Sequence, residues 1–177
     1  GVANGSDHSA AVSTAFLSVS ATEARLSTNQ ANGGALLPLT IHTGGLERLR
    51  IDPTTGNVLV TGGGALGYGA GAGGTVTQAT SKSTPVTMNK PCGRIIMNNA
   101  TLNSGGSVTF DLNNTLINPL GIAEDVLIVA PYNNTGYRVE VASMFGGAAR
   151  IRVTNVNGAA LSEALVISFA IIKGVQS

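Results

Sequence analysis

The chain has few residues whose types and spacing could bind a metal or act as a nucleophile. Histidine occurs only at His8 and His42, and Cys92 is the single cysteine. A zinc site takes three or four such ligands close together, and a Ser-His-Asp triad needs a histidine beside its nucleophile. We therefore expect no metal site within one chain. Copies of His42 meeting on an axis between chains are an alternative, and an exposed or packed histidine is the default.

The acidic residues predict turns and ion pairs better than they predict a hydrolase. A glycosidase needs two carboxyl groups on either side of the scissile bond. Asp52 precedes a proline and predicts a turn. Glu47, close to Arg48 and Arg50, predicts a surface or interchain ion pair, and residues 124–125 predict a loop or edge charge. We expect a protein without enzymatic activity.

Residues 62–67 match the pattern G-x-G-x-x-G, which in dinucleotide-binding proteins joins a strand to a helix. The helix is essential, because its N-terminus holds the pyrophosphate. Here more glycine and then a threonine-rich strand pattern follow the motif. The segment therefore predicts a glycine hinge or close backbone packing, and no cofactor is expected.

The composition limits the partners that the chain could have. Only 11% of its 177 residues are charged, against about 25% in ordinary soluble domains. The surface must therefore consist of Thr, Ser, Asn and Gly, or be covered by partners. The net charge of +1 without a basic cluster argues against nucleic acid. No apolar run reaches 18 residues, so membrane insertion is not expected, and the lone cysteine suits a reducing cytoplasm.

Residues 1–63 are expected to form a shaft segment of short strands. Apolar and polar residues alternate in runs separated by Gly, Asn and Pro, as strands do. The predicted strands are 15–19, 23–26, 36–42, 47–51 and 58–61. The segment contains one aromatic residue, Phe16, and cannot build its own core. Its apolar side chains must then meet those of another chain, which predicts an intertwined oligomer.

Residues 64–177 predict an antiparallel, jelly-roll-like β-sandwich, which we call the knob. Eight strands separated by Asn and Gly turns suit two packed sheets. The predicted strands are 76–77, 86–89, 94–98, 108–112, 126–129, 137–144, 150–155 and 164–173. Most alternate between apolar and polar residues, which gives each one wet face. The sequence therefore predicts an all-β fold.

Two of these strands are apolar on both faces, at residues 126–129 and 165–172. A two-layer sandwich buries one face of each sheet, so such strands need a third layer, for which we expect another subunit. In the last strand the bulkier side, with Phe169, should fill the interior. The opposite side, with Val166, Ser168 and Ile172, is the candidate subunit interface.

The loop after the strand at 126–129 is a candidate receptor contact. Tyr132, Asn133, Asn134 and Tyr137 combine aromatic rings with amides, a mixture that suits stacking on sugars and bonding to their hydroxyls. The simpler alternative is a hairpin turn flanked by structural tyrosines. Loops are where a knob would touch a partner.

Residues 43–52 (TGGLERLRID) with residues 56–58 (GNV) resemble a segment common in phage tail-fibre and related virion fibre proteins. Residues 23–26 and 37–40 are similar to the same family. Residues 67–78, 83–87, 93–95, 162–165 and 169–174 resemble a C-terminal module of phage and prophage structural proteins. The resemblance covers most of residues 20–175.

The resemblance implies a homotrimeric virion fibre, assembled in the host cytoplasm, whose shaft ends in a knob that attaches to a host-surface glycan or protein. The first residues look like the cut edge of a longer chain, so a preceding N-terminal region would contact other virion proteins. The alternative is a head or capsid fibre, or a decoration protein, with a mainly structural role.

Overall fold

The computed structural model describes residues 12–19, 22–31, 33–117, 125–132 and 134–174. Within these ranges the protein consists of thirteen β-strands and has no helix, so the expected all-β class is confirmed. The chain divides into two compact units between Gly67 and Tyr68, inside the glycine-rich segment.

The N-terminal unit contains two small antiparallel sheets. One is a hairpin of β1 (Val12–Val19) and β2 (Ala24–Ala31). The other has the order β3 (Leu39–Thr43), β4 (Leu46–Ile51) and β5 (Val58–Val60). Each of the five predicted strands overlaps one of these.

Turn chemistry fixes the connections of the three-stranded sheet. Gly44 and Gly45 join β3 to β4 with φ of 59° and 76°, and two successive positive φ angles are what a tight hairpin turn of this kind requires. After β4, the Asp52 carboxylate accepts hydrogen bonds from the backbone N–H groups of Thr54 and Thr55 at 3.0 and 2.7 Å. Asp52 is therefore the turn former that the sequence predicted, and its pKa is lowered mainly by the Thr55 N–H.

The N-terminal unit has no buried core in the part of it whose side chains the structure describes. No side chain there is classed as buried, and Leu17 and Val19 are 78% and 80% exposed. An isolated two-stranded hairpin is marginally stable at best in water, and a small sheet becomes stable by burying an apolar face. The segment therefore matches the expected strand pattern, and its apolar side chains lie on the surface of the single chain.

The C-terminal unit is a sandwich of two four-stranded sheets. Sheet I has the order β10-β13-β8-β6 and sheet II the order β11-β12-β9-β7. The eight strands are β6 (Gly73–Thr77), β7 (Val86–Thr87), β8 (Cys92–Ile96), β9 (Ser107–Asn113), β10 (Val126–Pro131), β11 (Tyr137–Phe145), β12 (Ala148–Asn155) and β13 (Val166–Ile172). All eight overlap the predicted strands.

Both sheets are mixed, whereas the sequence predicted an antiparallel sandwich. β6 runs parallel to β8, and β7 runs parallel to β9, while all other neighbours are antiparallel. The reason lies in the connections. The chain leaves sheet I after β6, forms β7 in sheet II and returns to sheet I as β8, and a crossover of this kind allows two neighbouring strands to point the same way.

The core lies between the two sheets and comes from alternate residues of each strand. Ile95, Leu112, Ile151 and Ile167 have no exposed surface. In β13, Phe169 is buried with the residues two positions before and after it, while the residues between them are half-buried or exposed. The predicted orientation of this strand is confirmed.

Candidate interaction surfaces

The predicted receptor-contact loop connects β10 to β11, and its residues have different surroundings. Tyr132 is 46% exposed, and the Arg94 guanidinium lies 4.6 Å from the centre of its ring. The side-chain amide of Asn134 donates to the Glu163 carboxylate at 2.9 Å, and its oxygen accepts from the N–H of Gly136 at 2.7 Å. Asn133 lies outside the described residues.

Tyr137 belongs to the core and does not present its ring to a ligand. It is 4% exposed and is packed with the buried side chains of the sandwich. Its hydroxyl is enclosed and meets no described group at the distance and angle of a hydrogen bond, while the Glu163 carboxylate is near enough to act on it through its charge. Burial, followed by the charge of Glu163, raises the pKa of Tyr137 to about 12. Among the four residues of the predicted loop, the described ones that a partner could reach are Tyr132 and Asn134.

Lys82 is a buried cation below this loop, and the sequence did not single it out. Its ammonium donates to the backbone carbonyls of Asn98 and Glu163 at 2.7 and 2.8 Å and lies 5.8 Å from the centre of the Tyr137 ring. Burial lowers the pKa of Lys82, against the attraction of Glu163. In the sequence it stands among serine and threonine, which is typical of a solvated loop, so no local signal reveals that it connects three loops of the sandwich.

The outer face of sheet I is largely apolar. Strand register places its residues in four rows across β10, β13, β8 and β6. These rows are Val126 and Ile172; Ile128, Ala170, Cys92 and Gly73; Ala130, Ser168, Arg94 and Thr75; and Val166, Ile96 and Thr77. Val126, Ile128 and Ile172 are each more than half exposed. All three predicted interface residues of β13 lie on this face.

Arg94 is the one charged side chain in those four rows. Its guanidinium stacks on Tyr132, which follows β10 at the edge of the same face. A guanidinium on an aromatic ring keeps a favourable contact while it loses water. The stack therefore lowers the desolvation free energy that covering this face would cost. Its two residues, Arg94 and Tyr132, lie far apart in the sequence.

The outer face of sheet II is polar and carries ion pairs. Arg150 of β12 binds both carboxylate oxygens of Asp111 at 2.8 and 3.0 Å, and Arg152 binds Glu140 of β11 at 3.2 Å. The first pair lines a shallow cleft of about 200 Å³ together with Ser83, Pro85, Thr109 and Phe110. The four side chains of these ion pairs are partly exposed to solvent in the single chain.

Charged side chains that could take part in catalysis or metal binding form hydrogen bonds and ion pairs within the fold. Both carboxylate oxygens of Glu47 bind Arg50, at 2.8 and 2.6 Å, and Asp125 binds Lys173 at 2.5 Å, joining the ends of β10 and β13. Arg48 binds the Thr43 hydroxyl and the Gly62 carbonyl instead of Glu47. Among the described residues no three His, Cys, Asp or Glu side chains form a group that could hold a metal ion. His8 and Glu124 lie outside those residues.

The glycine motif serves backbone packing. A Cβ at Gly62 would lie 2.7 Å from the backbone oxygen of Glu47, and φ there is +64°. Only glycine fits such a position. The strand that follows residues 62–67 is β6, in agreement with the predicted strand. The described residues include no helix that could span a bilayer.

Comparison with protein-family models, with curated proteins and with solved structures finds no match to this chain.

Two kinds of surface can therefore act in recognition. The outer face of sheet I and the apolar side chains of the N-terminal unit can bind another apolar surface, since they offer little charge. The loop with Tyr132 and Asn134, at the edge of sheet I, can supply one ring and one amide to a polar ligand. Both were present in the sequence pattern, whereas the Arg94–Tyr132 stack and the burial of Tyr137 were not.

Proposed function

We propose that the chain is a structural virion fibre protein of a bacteriophage, a homotrimer with an intertwined shaft and a C-terminal knob. One observation carries the proposal. The N-terminal unit forms five regular strands with well-defined turns, yet no side chain described in it is buried. A single chain taken from an intertwined oligomer would show this combination, because its strands are regular but its apolar side chains are covered only by the other chains.

The energetics favour coverage by copies of the same chain. Each 100 Å² of apolar surface removed from water stabilises an assembly by about 2.5 kcal/mol. Among its described residues the shaft segment exposes ten large apolar side chains, namely Leu17, Val19, Leu26, Leu36, Leu37, Ile41, Leu46, Val58, Leu59 and Val60. The number of copies, three, rests on the resemblance of residues 43–58 to virion fibres.

In the knob we assign the subunit interface to the outer face of sheet I, through Val166, Ser168 and Ile172. The face is apolar, and its one charge is already stacked on Tyr132. The jelly-roll-like connectivity stays a prediction, and the parallel pairs β6–β8 and β7–β9 set this sandwich apart from a wholly antiparallel one. A region preceding the shaft would join the trimer to other virion proteins.

Attachment to a host-surface glycan or protein is the role that we propose for the knob. Tyr132 and Asn134 are the residues placed to contribute to it. A head or capsid fibre with a mainly structural role is the second candidate, and the burial of Tyr137 favours it, because the loop then offers one described ring where the sequence predicted two.

Native mass spectrometry and sedimentation of the purified chain at micromolar concentration test the proposal. We expect three chains per particle and a circular dichroism spectrum dominated by β-structure. A well-folded monomer would contradict the oligomer. Because we propose no enzymatic role, incubation with capsular polysaccharide or lipopolysaccharide should release no reducing ends, and their release by the trimer would contradict that part.

A further inference from the structure

One face of the three-stranded sheet in the N-terminal unit is apolar over two adjacent rows of residues, which we call the shaft face, and the next row along it pairs Thr43 with Leu46. Register pairs Leu39 with Ile51 and Ile51 with Val58, and likewise Ile41 with Leu49 and Leu49 with Val60. Directly paired residues share a face. The shaft face thus consists of two rows of three apolar side chains: Leu39, Ile51 and Val58, and Ile41, Leu49 and Val60.

The opposite face of this sheet is of mixed character. Its row contains Thr40, Arg50 and Leu59. Arg50 is held there by a bidentate ion pair with Glu47, at 2.8 and 2.6 Å. An ion pair of this kind prefers water to an apolar contact, because removing both charges from water is costly. The sheet therefore has a side suited to solvent and a side suited to burial.

The shaft face is only partly covered in the single chain although it is the more apolar side, with Leu39, Leu49 and Ile51 half-buried. Ile41 and Val58 are more than half exposed, and Val60 is 40% exposed. On the opposite face the neighbouring Leu59 is 43% exposed. In one isolated chain, then, adjacent residues of β5 on opposite faces are equally accessible to solvent.

We propose that the shaft face is the inner wall of a three-sided β-prism, in which each of three copies of this chain contributes one three-stranded sheet. The inference rests on the proposed homotrimer. β4 is the middle strand, so Leu49 and Ile51 from the three copies point toward the axis. The two rows become two apolar layers stacked along that axis, and the Glu47–Arg50 pairs face the solvent.

The size of the face argues for copies of the same chain as the occupant. Three strands spaced about 4.8 Å apart and five residues rising about 3.3 Å each give an area of roughly 240 Å². An independent partner protein needs about 800 Å² on each side for a stable complex. Copies of the chain that are already joined along the rest of the fibre do not need so large an area at each contact, because each further contact forms at a high effective concentration.

Thiol labelling of two matched variants tests the prism. Val60→Cys and Leu59→Cys are made separately in the full chain carrying Cys92→Ala, so that each protein has one thiol. A monomaleimide is added to each purified variant, and the rates of labelling are followed by mass spectrometry. Without an assembly the two thiols should react alike, since the two sites are equally exposed in one chain.

We expect the thiol at position 60 to react at least about tenfold more slowly, because a thiol at the axis is reached only through transient opening. In urea the two rates should become equal. Native mass spectrometry of the same samples gives the number of chains. Monomers would contradict the proposed trimer itself. Trimers in which both thiols react at the same rate would overturn the prism and leave the trimer standing.

A pair of charge substitutions provides a second measurement that does not depend on reactivity. Val60→Asp should make the shaft segment sensitive to protease, because the carboxylate enters the apolar layers. Leu59→Asp, one residue away on the opposite face, should leave it resistant. Equal sensitivity of the two variants, in samples that still contain three chains, would contradict the assignment of the faces.

Discussion

The outer faces of sheets I and II differ, although both sheets contribute to one core. Sheet II exposes the pairs Asp111–Arg150 and Glu140–Arg152 between threonine and serine side chains. Sheet I exposes Val126, Ile128 and Ile172, and its single charge in the four rows, Arg94, is stacked on a ring. A sheet face that stays in contact with water is expected to carry polar side chains like those of sheet II, and the apolar side chains of sheet I are not typical of such a face.

The polarity of the outward positions of a strand therefore carries information about what covers that strand. The inward positions of the central strands are apolar apart from the buried Asn155 at the end of β12, because the core requires it. Outward positions are free to vary, and where they too are apolar, as in β10 and β13, a further layer is the explanation that we propose. The N-terminal sheet repeats the contrast on a smaller scale, between the shaft face and the side with Arg50.

The largest effect should come from a charge placed on the outer face of sheet I. Val166→Asp puts a carboxylate into each proposed contact, where desolvation and mutual repulsion of the copies act together. We expect the trimer to be lost while the sandwich keeps its circular dichroism spectrum. Ile172→Asp should act in the same way. Size-exclusion chromatography and native mass spectrometry measure the outcome.

Thr109→Asp is the matched control, on the outer face of sheet II. Its neighbour across the strands is Arg152, so an added carboxylate is well accommodated, and we expect the trimer to persist. If Val166→Asp leaves the trimer intact, the interface lies elsewhere in the molecule and the comparison between the faces does not report assembly.

A smaller but still large effect should follow from a change on the inner side of β13. Phe169 is 4% exposed, and one of its ring carbons lies 3.2 Å from the position that a Cβ on Gly93 would take. Phe169→Ala should destabilise each chain by about 3–5 kcal/mol, since the cavity cannot collapse fully. Urea unfolding measures it. Ser168→Ala, the adjacent residue on the outer side, should cost less than about 1 kcal/mol; equal losses would refute the assigned parity.

Titration of Tyr137 should produce an effect confined to alkaline pH. Its pKa is about 12 in the folded chain against 10.0 for the unperturbed side chain, so the folded state holds the proton more tightly. The associated stability is present below pH 10 and is lost as the pH rises toward 12, up to about 2–3 kcal/mol. Tyr137→Phe should flatten this decline and change little at pH 7, because the hydroxyl has no hydrogen-bond partner.

Unfolding free energies of wild type and Tyr137→Phe at several pH values between 8 and 12 check this. Only the difference between the two proteins is used, so that titration of Lys82 cancels. An identical alkaline decline in both would show that Tyr137 is not the titrating group, and a large loss at pH 7 would show that its hydroxyl has a partner.

The sequence predicted the strands well because alternation and turn residues are local signals. Asp52 forms the turn that was expected of it, and the pair Gly44–Gly45 forms the turn between two of the predicted strands. The parallel pairs β6–β8 and β7–β9 were missed, because they depend on the sheet to which the two-residue strand β7 belongs. That choice is made by tertiary packing and not by local pattern.

The candidate surfaces were predictable only in part, for the same reason. The two faces of β13 follow from the size of alternate side chains. Tyr137 looked like a binding residue because aromatic and amide residues cluster around it in the sequence, whereas strand parity places it in the core opposite Asn155. The stack of Arg94 on Tyr132 joins distant parts of the chain and leaves no trace in either local pattern.

The smallest effect should come from removing an ion pair on the outer face of sheet II. Asp111 and Arg150 are partly exposed, with side-chain exposures of 28% and 49%, and exposed pairs contribute at most about 1 kcal/mol. Asp111→Asn should therefore lower the unfolding free energy by less than about 1 kcal/mol at pH 7 and leave the trimer unchanged.

The Arg150 guanidinium lowers the pKa of Asp111, so the stabilisation is present above the unperturbed value of 3.8 and disappears as the pH falls through the lower, folded value. The difference between wild type and variant should vanish once both carry a neutral side chain, and it should shrink in high salt. A loss of about 3–5 kcal/mol, or dissociation of the trimer, would show a pair shielded from water, in which case the charged face of the sandwich is the covered one and the contrast between the two faces has the opposite meaning.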